Sequence, residues 1–213
     1  MLDRYTKSPK IQLDIASRLY DGGPSWSVSG QSLSTTESWA WYDAFSDEEC
    51  DSIIAIATRL GLQKGVTKER DGQHKRISDV RFIYPNPSTY WVFDRLSDAI
   101  STVNNDFFNF DLTYLHEGAQ FTRYTAPQGN YQWHVDHGLG MPIRKLSVTI
   151  QLTEPATYEG GDLEINESGE VERLPRKRGR MMVFPSWTLH RVTPVTSGTR
   201  DSLVVWVSGP PFK

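Results

Sequence analysis

The chain has 213 residues, a formal net charge of −3 and one cysteine. That length suits one large domain with a short extension. The mildly acidic balance argues against a general affinity for nucleic acid or membrane, and a single thiol excludes an intrachain disulfide framework and points to a reducing compartment.

The opening residues, MLDRYTKSPKIQLD, have no apolar signal core, and no segment reaches membrane-spanning length. A cytoplasmic protein with no membrane partner is therefore expected. Residues 1–37 are rich in Gly and Ser without a sustained period, which predicts a loosely structured arm that packs through Trp26. A helix follows. Ser46 is its N-cap, Glu49 completes a capping box, and Phe45 and Cys50 are placed to staple its first turn. Ile53, Ile54, Ile56, Ala57 and Leu60 form its apolar stripe, and Gly61 closes it. The next stretch, QKGVTKERDGQHKRIS, is charged and has no apolar face, so a mobile loop or hairpin is expected. DVRFIYP reads as a strand. A second helix is expected to begin near Ser88, with Trp91, Val92, Leu96, Ile100 and Val103 on its buried side.

From Leu112 the pattern changes to short strands between turn signals: AQFTRYTA, RKLSVTIQL, YEGGDLEI, GRMMVFP, LHRVTPV and DSLVVWVSG. In RKLSVTIQL, Leu146, Val148, Ile150 and Leu152 alternate with Ser147, Thr149 and Gln151. Such spacing indicates a sandwich or barrel. The expected organisation is helical support over 38–111 and a β-core over 112–213, an α+β fold that is mainly β.

QWHVDHGLG, residues 132–140, carries the chemistry. In an extended strand His134 and Asp136 project to one face, and imidazole plus carboxylate suits a first-row metal. A third ligand has to come from elsewhere. His74 lies in the charged loop, and His116 reads as a turn residue. His190, near the end of the β-core, is either a hydrogen-bonded histidine or the missing ligand. Arg200, with Ser202 two residues on along the same strand face, offers a guanidinium fork and a hydroxyl suited to a carboxylate.

The segments YTAPQGNYQWHVDHG, RKLSVTIQLTEPATYEGGDLEI and VFPSWTLHRVTPVTSGTRDSLVVWVSGPPF together resemble the Fe(II)/2-oxoglutarate-dependent oxygenases of the prolyl-hydroxylase type, over residues 38–213. The resemblance implies a double-stranded β-helix, a jelly-roll relative, with supporting helices. It implies that His134, Asp136 and His190 hold iron. Arg200 and Tyr124 would bind the far carboxylate of 2-oxoglutarate, and Ser202 and Gln151 would be further cosubstrate contacts. Gln151 stands where some relatives have a second tyrosine. Trp206 would line the metal pocket, with Trp133 and Trp187 as further candidates for excluding water. His137 would face away as a supporting or entrance residue.

The same resemblance implies hydroxylation of a prolyl residue in a protein or peptide, with O2 consumed, succinate and CO2 released, and ascorbate as an accessory. Tyr131, Arg70 and Arg76 are candidate substrate contacts, the last two in a charged 64–79 segment that also holds Lys64, Lys68, Glu69 and Lys75. Hydroxylation of free proline or lysine is the enzymatic alternative, and a non-catalytic jelly-roll binding module is the alternative of another class. A zinc hydrolase would leave Arg200 without a purpose. Nucleic-acid demethylation is disfavoured, because that branch carries a second arginine where Trp206 stands. The basic run Arg173, Arg176, Lys177, Arg178 and Arg180 reads as a solvated hairpin tip rather than a surface for an acidic partner.

Overall fold

The computed structural model describes residues 38–65, 67–68, 74–115, 117–137 and 143–211. The expected arm over 1–37, with Trp26, lies outside the described residues, as do Glu69, Arg70, Gly72 and His116. In chain order the elements are β1 (Ala40–Asp43), α1 (Asp47–Arg59), β2 (Gln63–Lys64), β3 (Thr67–Lys68), β4 (His74–Ile77), β5 (Asp79–Ile83), α2 (Tyr90–Val103), β6 (Ala119–Thr125), β7 (Asn130–His134) and β8 (Arg144–Gln151). They continue with β9 (Glu159–Gly160), β10 (Leu163–Glu167), β11 (Glu170–Arg173), β12 (Arg180–Pro185), β13 (Leu189–Val192), β14 (Val195–Ser197) and β15 (Thr199–Ser208).

The fold is mainly β. A larger sheet has the order β1-β12-β8-β15-β6-β5-β2 and a smaller one β11-β10-β13-β7-β4-β3, with β14 and β9 pairing separately. The two sheets face each other as a jelly roll. Among the described residues, no helix is long and apolar enough to cross a membrane.

Both helices cover the outer face of the larger sheet. The Glu49 amide donates to Ser46 Oγ at 3.2 Å and the Ser46 amide to Glu49 Oε2 at 2.8 Å, so the expected capping box forms. Phe45 and Cys50 are both buried at this end. Cys50, Ile53 and Ala57 face inward, whereas Leu60 caps the helix and is exposed, a departure from the expected stripe. Gly61 then adopts φ +80°, which a side chain would resist. In α2 the buried residues are Val92, Leu96, Ala99, Ile100 and Val103. A π-helical turn, Asn104–Phe108, ends it, and the Asn104 side chain exchanges two hydrogen bonds of 3.0 Å with the Phe110 backbone.

These faces meet Leu146, Val148 and Ile150 of β8 and Leu203, Val205 and Val207 of β15 in one core. Each such side chain contributes about 1.5–3 kcal/mol when fully buried. The alternate residues of the same strands, Ser147, Thr149 and Gln151 with Arg200, Ser202 and Trp206, are also buried, but on the inner side between the sheets. A second apolar cluster, including Ile165, Met182, Phe184 and Val195, closes part of that interior.

The N-terminal support holds more than helices. β1 extends the larger sheet beside β12, with Ala40 opposite Val183. The charged segment expected as a loop or hairpin contributes β2, β3 and β4, with β3 and β4 paired antiparallel as a hairpin requires, and Arg76 of β4 lies opposite Tyr131 of β7. It needs no apolar stripe of its own, because pairing to existing strands satisfies its backbone while its polar side chains remain at an edge.

Candidate metal centre

His134 ends β7 and is the direct cross-strand partner of His190 on β13. One pair further along, Tyr131 is opposite Val192, so two residues of β7, Gln132 and Trp133, stand against one of β13. This is a β-bulge, and it matters for the site. Residues three apart on a regular strand point to opposite faces, but the extra residue turns Tyr131 and His134 to the same side. Their rings stack with centroids 3.5 Å apart and planes 18° from parallel.

Each imidazole is fixed by a carbonyl on its outer nitrogen. His134 Nδ1 donates to the Gln132 carbonyl at 2.7 Å, and His190 Nδ1 to the Thr188 carbonyl at 2.9 Å. A carbonyl only accepts, so each ring carries a proton on Nδ1, and in the neutral form the Nε2 lone pair turns inward.

Asp136 is not on the strand, contrary to the extended-strand expectation. β7 stops at His134 and the chain bends. The amides of Asp136 and His137 both donate to the Ser186 carbonyl, at 2.9 and 3.0 Å, and Arg144 Nη1 donates to the Asp136 carbonyl at 3.1 Å. Ser147 Oγ donates to Asp136 Oδ2 at 2.7 Å. The carboxylate is thereby brought to the two histidines. Oδ1 is 3.7 Å from His134 Nε2, Oδ2 is 3.5 Å from His190 Nε2, and the three prospective ligand atoms lie within 4.8 Å of one another.

The electrostatics favour a cation. Burial, reinforced by the neighbouring His190, pushes the His134 imidazole down to about 4. Burial alone would raise the Asp136 carboxyl, but the two imidazoles and its hydrogen bonds hold it below the usual range. Two neutral imidazoles and one carboxylate are the protonation states that a divalent metal requires. The Trp206 N–H lies near enough to favour the ionised carboxylate, yet it makes no geometrically sound hydrogen bond.

These ligands open into a cavity of about 220 Å³. Arg200, Ser202, Val204 and Trp206 line it from alternate positions of β15, and Gln120 and Tyr124 line it from β6. Arg200 is 3 % exposed and its Nη1 has no hydrogen-bond partner. A buried guanidinium left so is costly, and a carboxylate would satisfy it. Tyr124, opposite Arg200 in the sheet, has its ring centroid 5.6 Å from the guanidinium. Burial pushes its phenol up to about 12, so at neutral pH it is a hydrogen-bond donor. The interior therefore fits a small diacid anchored by Arg200 and a metal held by the three ligands.

Other expected residues divide between this cavity and elsewhere. Tyr131 and Arg76 line it, with the Arg76 guanidinium 5.3 Å from the Tyr131 ring. Gln151 does not line it. Its Nε2 donates to the Tyr158 hydroxyl at 2.9 Å and the Thr153 carbonyl at 3.0 Å, so both its protons are used away from the cavity. Of the three tryptophans expected to exclude water, only Trp206 lines it. Trp133 lies under Arg191 at 4.5 Å, and Trp187 is 44 % exposed beside Phe110. His137 is exposed, with Nδ1 3.3 Å from the Arg144 carbonyl.

The basic run is paired with carboxylates, although Arg173 and Lys177 keep most of their side chains in solvent. Arg176 pairs with Asp162, Arg178 with Asp51, Lys177 with Asp43 at 2.7 Å and Arg180 with Asp43 at 2.8 Å. Sequence reasoning missed Arg144 and Glu117. Arg144 makes a two-pronged bond to Glu117 at 2.8 and 2.7 Å and stacks 4.0 Å from the Trp206 ring. An arginine opening a strand whose two faces are both buried was the available signal.

A jelly roll gathers two imidazoles, a carboxylate and a buried arginine with an unsatisfied Nη1 in one cavity, a candidate site for a single metal ion in a double-stranded β-helix. Residues 119–208 match the family model of the 2OG-Fe(II) oxygenase superfamily. A PKHD-type hydroxylase of Synechococcus sp. (strain CC9311) is 43 % identical over 84 residues, which are 39 % of this chain and 38 % of the relative. The chain spans about two fifths of the length of such relatives. A Pseudomonas putida prolyl-4-hydroxylase has the same fold, with a TM-score of 0.66, 19 % identity, and coverage of 83 % of this chain and 95 % of that one. A prolyl hydroxylase from Trichoplax adhaerens, solved in complex with a hypoxia inducible factor oxygen degradation domain peptide fragment, has a TM-score of 0.65 at 17 % identity, covering 82 % and 84 %.

Proposed function

We propose that residues 38–213 form an Fe(II)- and 2-oxoglutarate-dependent dioxygenase domain that hydroxylates a prolyl residue in a protein or peptide. The carrying observation is the buried Arg200 Nη1 without a partner, in the same cavity as His134, Asp136 and His190. The names of the matched relatives and the peptide bound to the Trichoplax neighbour support the substrate class.

On this reading His134, Asp136 and His190 hold the iron. The bound metal, with 2-oxoglutarate and O2, supplies the oxidising chemistry, in which the cosubstrate is decarboxylated to succinate and CO2 and a C–H bond is hydroxylated. Arg200 offers a charged donor and Tyr124 a neutral one to the far carboxylate, which fixes the cosubstrate by its remote end. Tyr131 and Trp206 wall the ligands and restrict water. Arg76, at the β4–β7 seam, is placed to meet the substrate. A reducing, cytoplasmic setting accords with the single buried thiol of Cys50.

The test is anaerobic loading with Fe(II) and 2-oxoglutarate, then exposure to O2 with a proline-containing peptide library or with free L-proline. Mass spectrometry should show a gain of one oxygen on a peptide, with succinate formed in step. Turnover of free proline alone would replace the peptide reading by the amino-acid one.

A further inference from the structure

Asp136 is the one prospective ligand that no strand ladder holds, and its side chain needs another constraint. We infer that Ser147, oriented by Ser186, is a positioning residue that commits the Asp136 carboxylate to binding metal through one oxygen. This rests on the metal-centre reading above.

The hydrogen-bond directions follow from counting protons. Ser147 Oγ is 2.7 Å from Asp136 Oδ2 and 3.1 Å from Ser186 Oγ. A serine hydroxyl has a single proton, and a carboxylate only accepts. The Ser147 proton therefore goes to Asp136, and Ser186 must donate to Ser147. Ser186 is 0 % and Ser147 1 % exposed, so solvent does not compete for these hydroxyls.

The relay is anchored at both ends. The Ser186 amide donates to the Lys145 carbonyl at 3.0 Å, which ties it to β8, and the Ser186 carbonyl receives the amides of Asp136 and His137. One residue thus fixes the ligand's backbone directly and its carboxylate through Ser147. Ser147 itself is held by pairing on both sides, opposite Phe184 and opposite Trp206. With one acceptor site of Oδ2 taken by the hydroxyl proton, Oδ1 is the oxygen with its full donor capacity free for a metal. A chelating carboxylate would take a second metal position. One-oxygen ligation leaves that position for the cosubstrate and O2.

The experiment uses the full chain and Co(II), whose visible absorption reports coordination. Ser147→Ala should weaken Co(II) binding on the order of ten-fold and alter the absorption bands, in line with the loss of a hydrogen bond behind a metal ligand. Ser147→Thr keeps the hydroxyl and should restore both. Ser186→Ala should shift affinity in the same direction by less, and the double alanine variant should bind no worse than Ser147→Ala. If Ser147→Ala fails to unfold cooperatively without metal, Ser186→Ala and Ser147→Thr decide the question. Wild-type affinity and spectrum in Ser147→Ala, or in Ser186→Ala, would overturn the inference. Absence of Co(II) binding by the unmodified protein would instead overturn the metal reading beneath it.

Discussion

His134 and His190 face each other as direct partners across an antiparallel strand pair, with ring centroids 4.1 Å apart. The two candidate metal ligands are thus joined by the sheet's own register, although they lie 56 positions apart in sequence. Replacing either with alanine should abolish 2-oxoglutarate turnover. His134→Ala should also cost about 1–3 kcal/mol of stability, because the Gln132 carbonyl loses its donor. Co(II) titration and urea unfolding of the metal-free variants check both effects. Retained turnover would remove that histidine from the ligand set.

Arg200→Ala should raise the 2-oxoglutarate concentration needed for half-maximal turnover by about 10- to 100-fold, the range for losing a charge-assisted hydrogen bond of ~1.5–3 kcal/mol. Co(II) affinity measured without cosubstrate should stay the same. Arg200→Lys keeps the charge but not the fork, and recovery should be partial. An unchanged cosubstrate requirement would place the anchor on another residue.

Tyr124→Phe should weaken cosubstrate binding by about five-fold, the value of one neutral hydrogen bond near 1 kcal/mol. The buried phenol is pushed up to about 12, so it stays protonated in the folded protein where an unfolded tyrosine near 10 would ionise. The folded state then holds the proton more tightly, so Tyr124's contribution to stability is full below pH 10 and declines as pH rises towards 12. Difference absorbance at 295 nm should show fewer tyrosines titrating near pH 10 in the folded wild type than in urea, because burial raises Tyr131 as well as Tyr124. The Tyr124→Phe variant should reduce that difference by one tyrosine.

Cys50 is fully buried, and that burial pushes its thiol up to about 11. The thiolate is the reactive form, so iodoacetamide at pH 8 should leave the folded protein unmodified and label it fully in urea. Rapid labelling of the native state, read by intact mass, would contradict the packing of α1 against its core.

Alternation in RKLSVTIQL and the capping box at Ser46 made the β-core and the first helix legible, and these are local signals whose physics lies within a few residues. The order His-x-Asp, His, Arg-x-Ser pointed to residues that the fold brings together around one cavity. What was not legible depends on pairing. Gln151 sits on the inner face as the alternation implies, but its use by Tyr158 follows from a loop whose return is unmarked in the sequence. Asp136 comes beside the two histidines through a bend and three tethers rather than through strand geometry. The charged segment 64–79 left loop and hairpin equally open, because an edge pair needs backbone partners and no apolar period. Arg173 to Arg180 read as a solvent-facing cluster because their carboxylate partners at Asp43, Asp51 and Asp162 are distant in sequence.

The bulge in β7 has a consequence for how this protein can change. Removing one residue between Tyr131 and His134 would restore a regular ladder in which the two stand two positions apart and still share a face. Closing the bulge without a deletion, by sliding the chain before His134 one residue along its partner, would instead turn Tyr131 to the outside of the sheet. The two-for-one count at this point therefore lets the pairing of His134 with His190 and the ring beside it survive the loss of one residue.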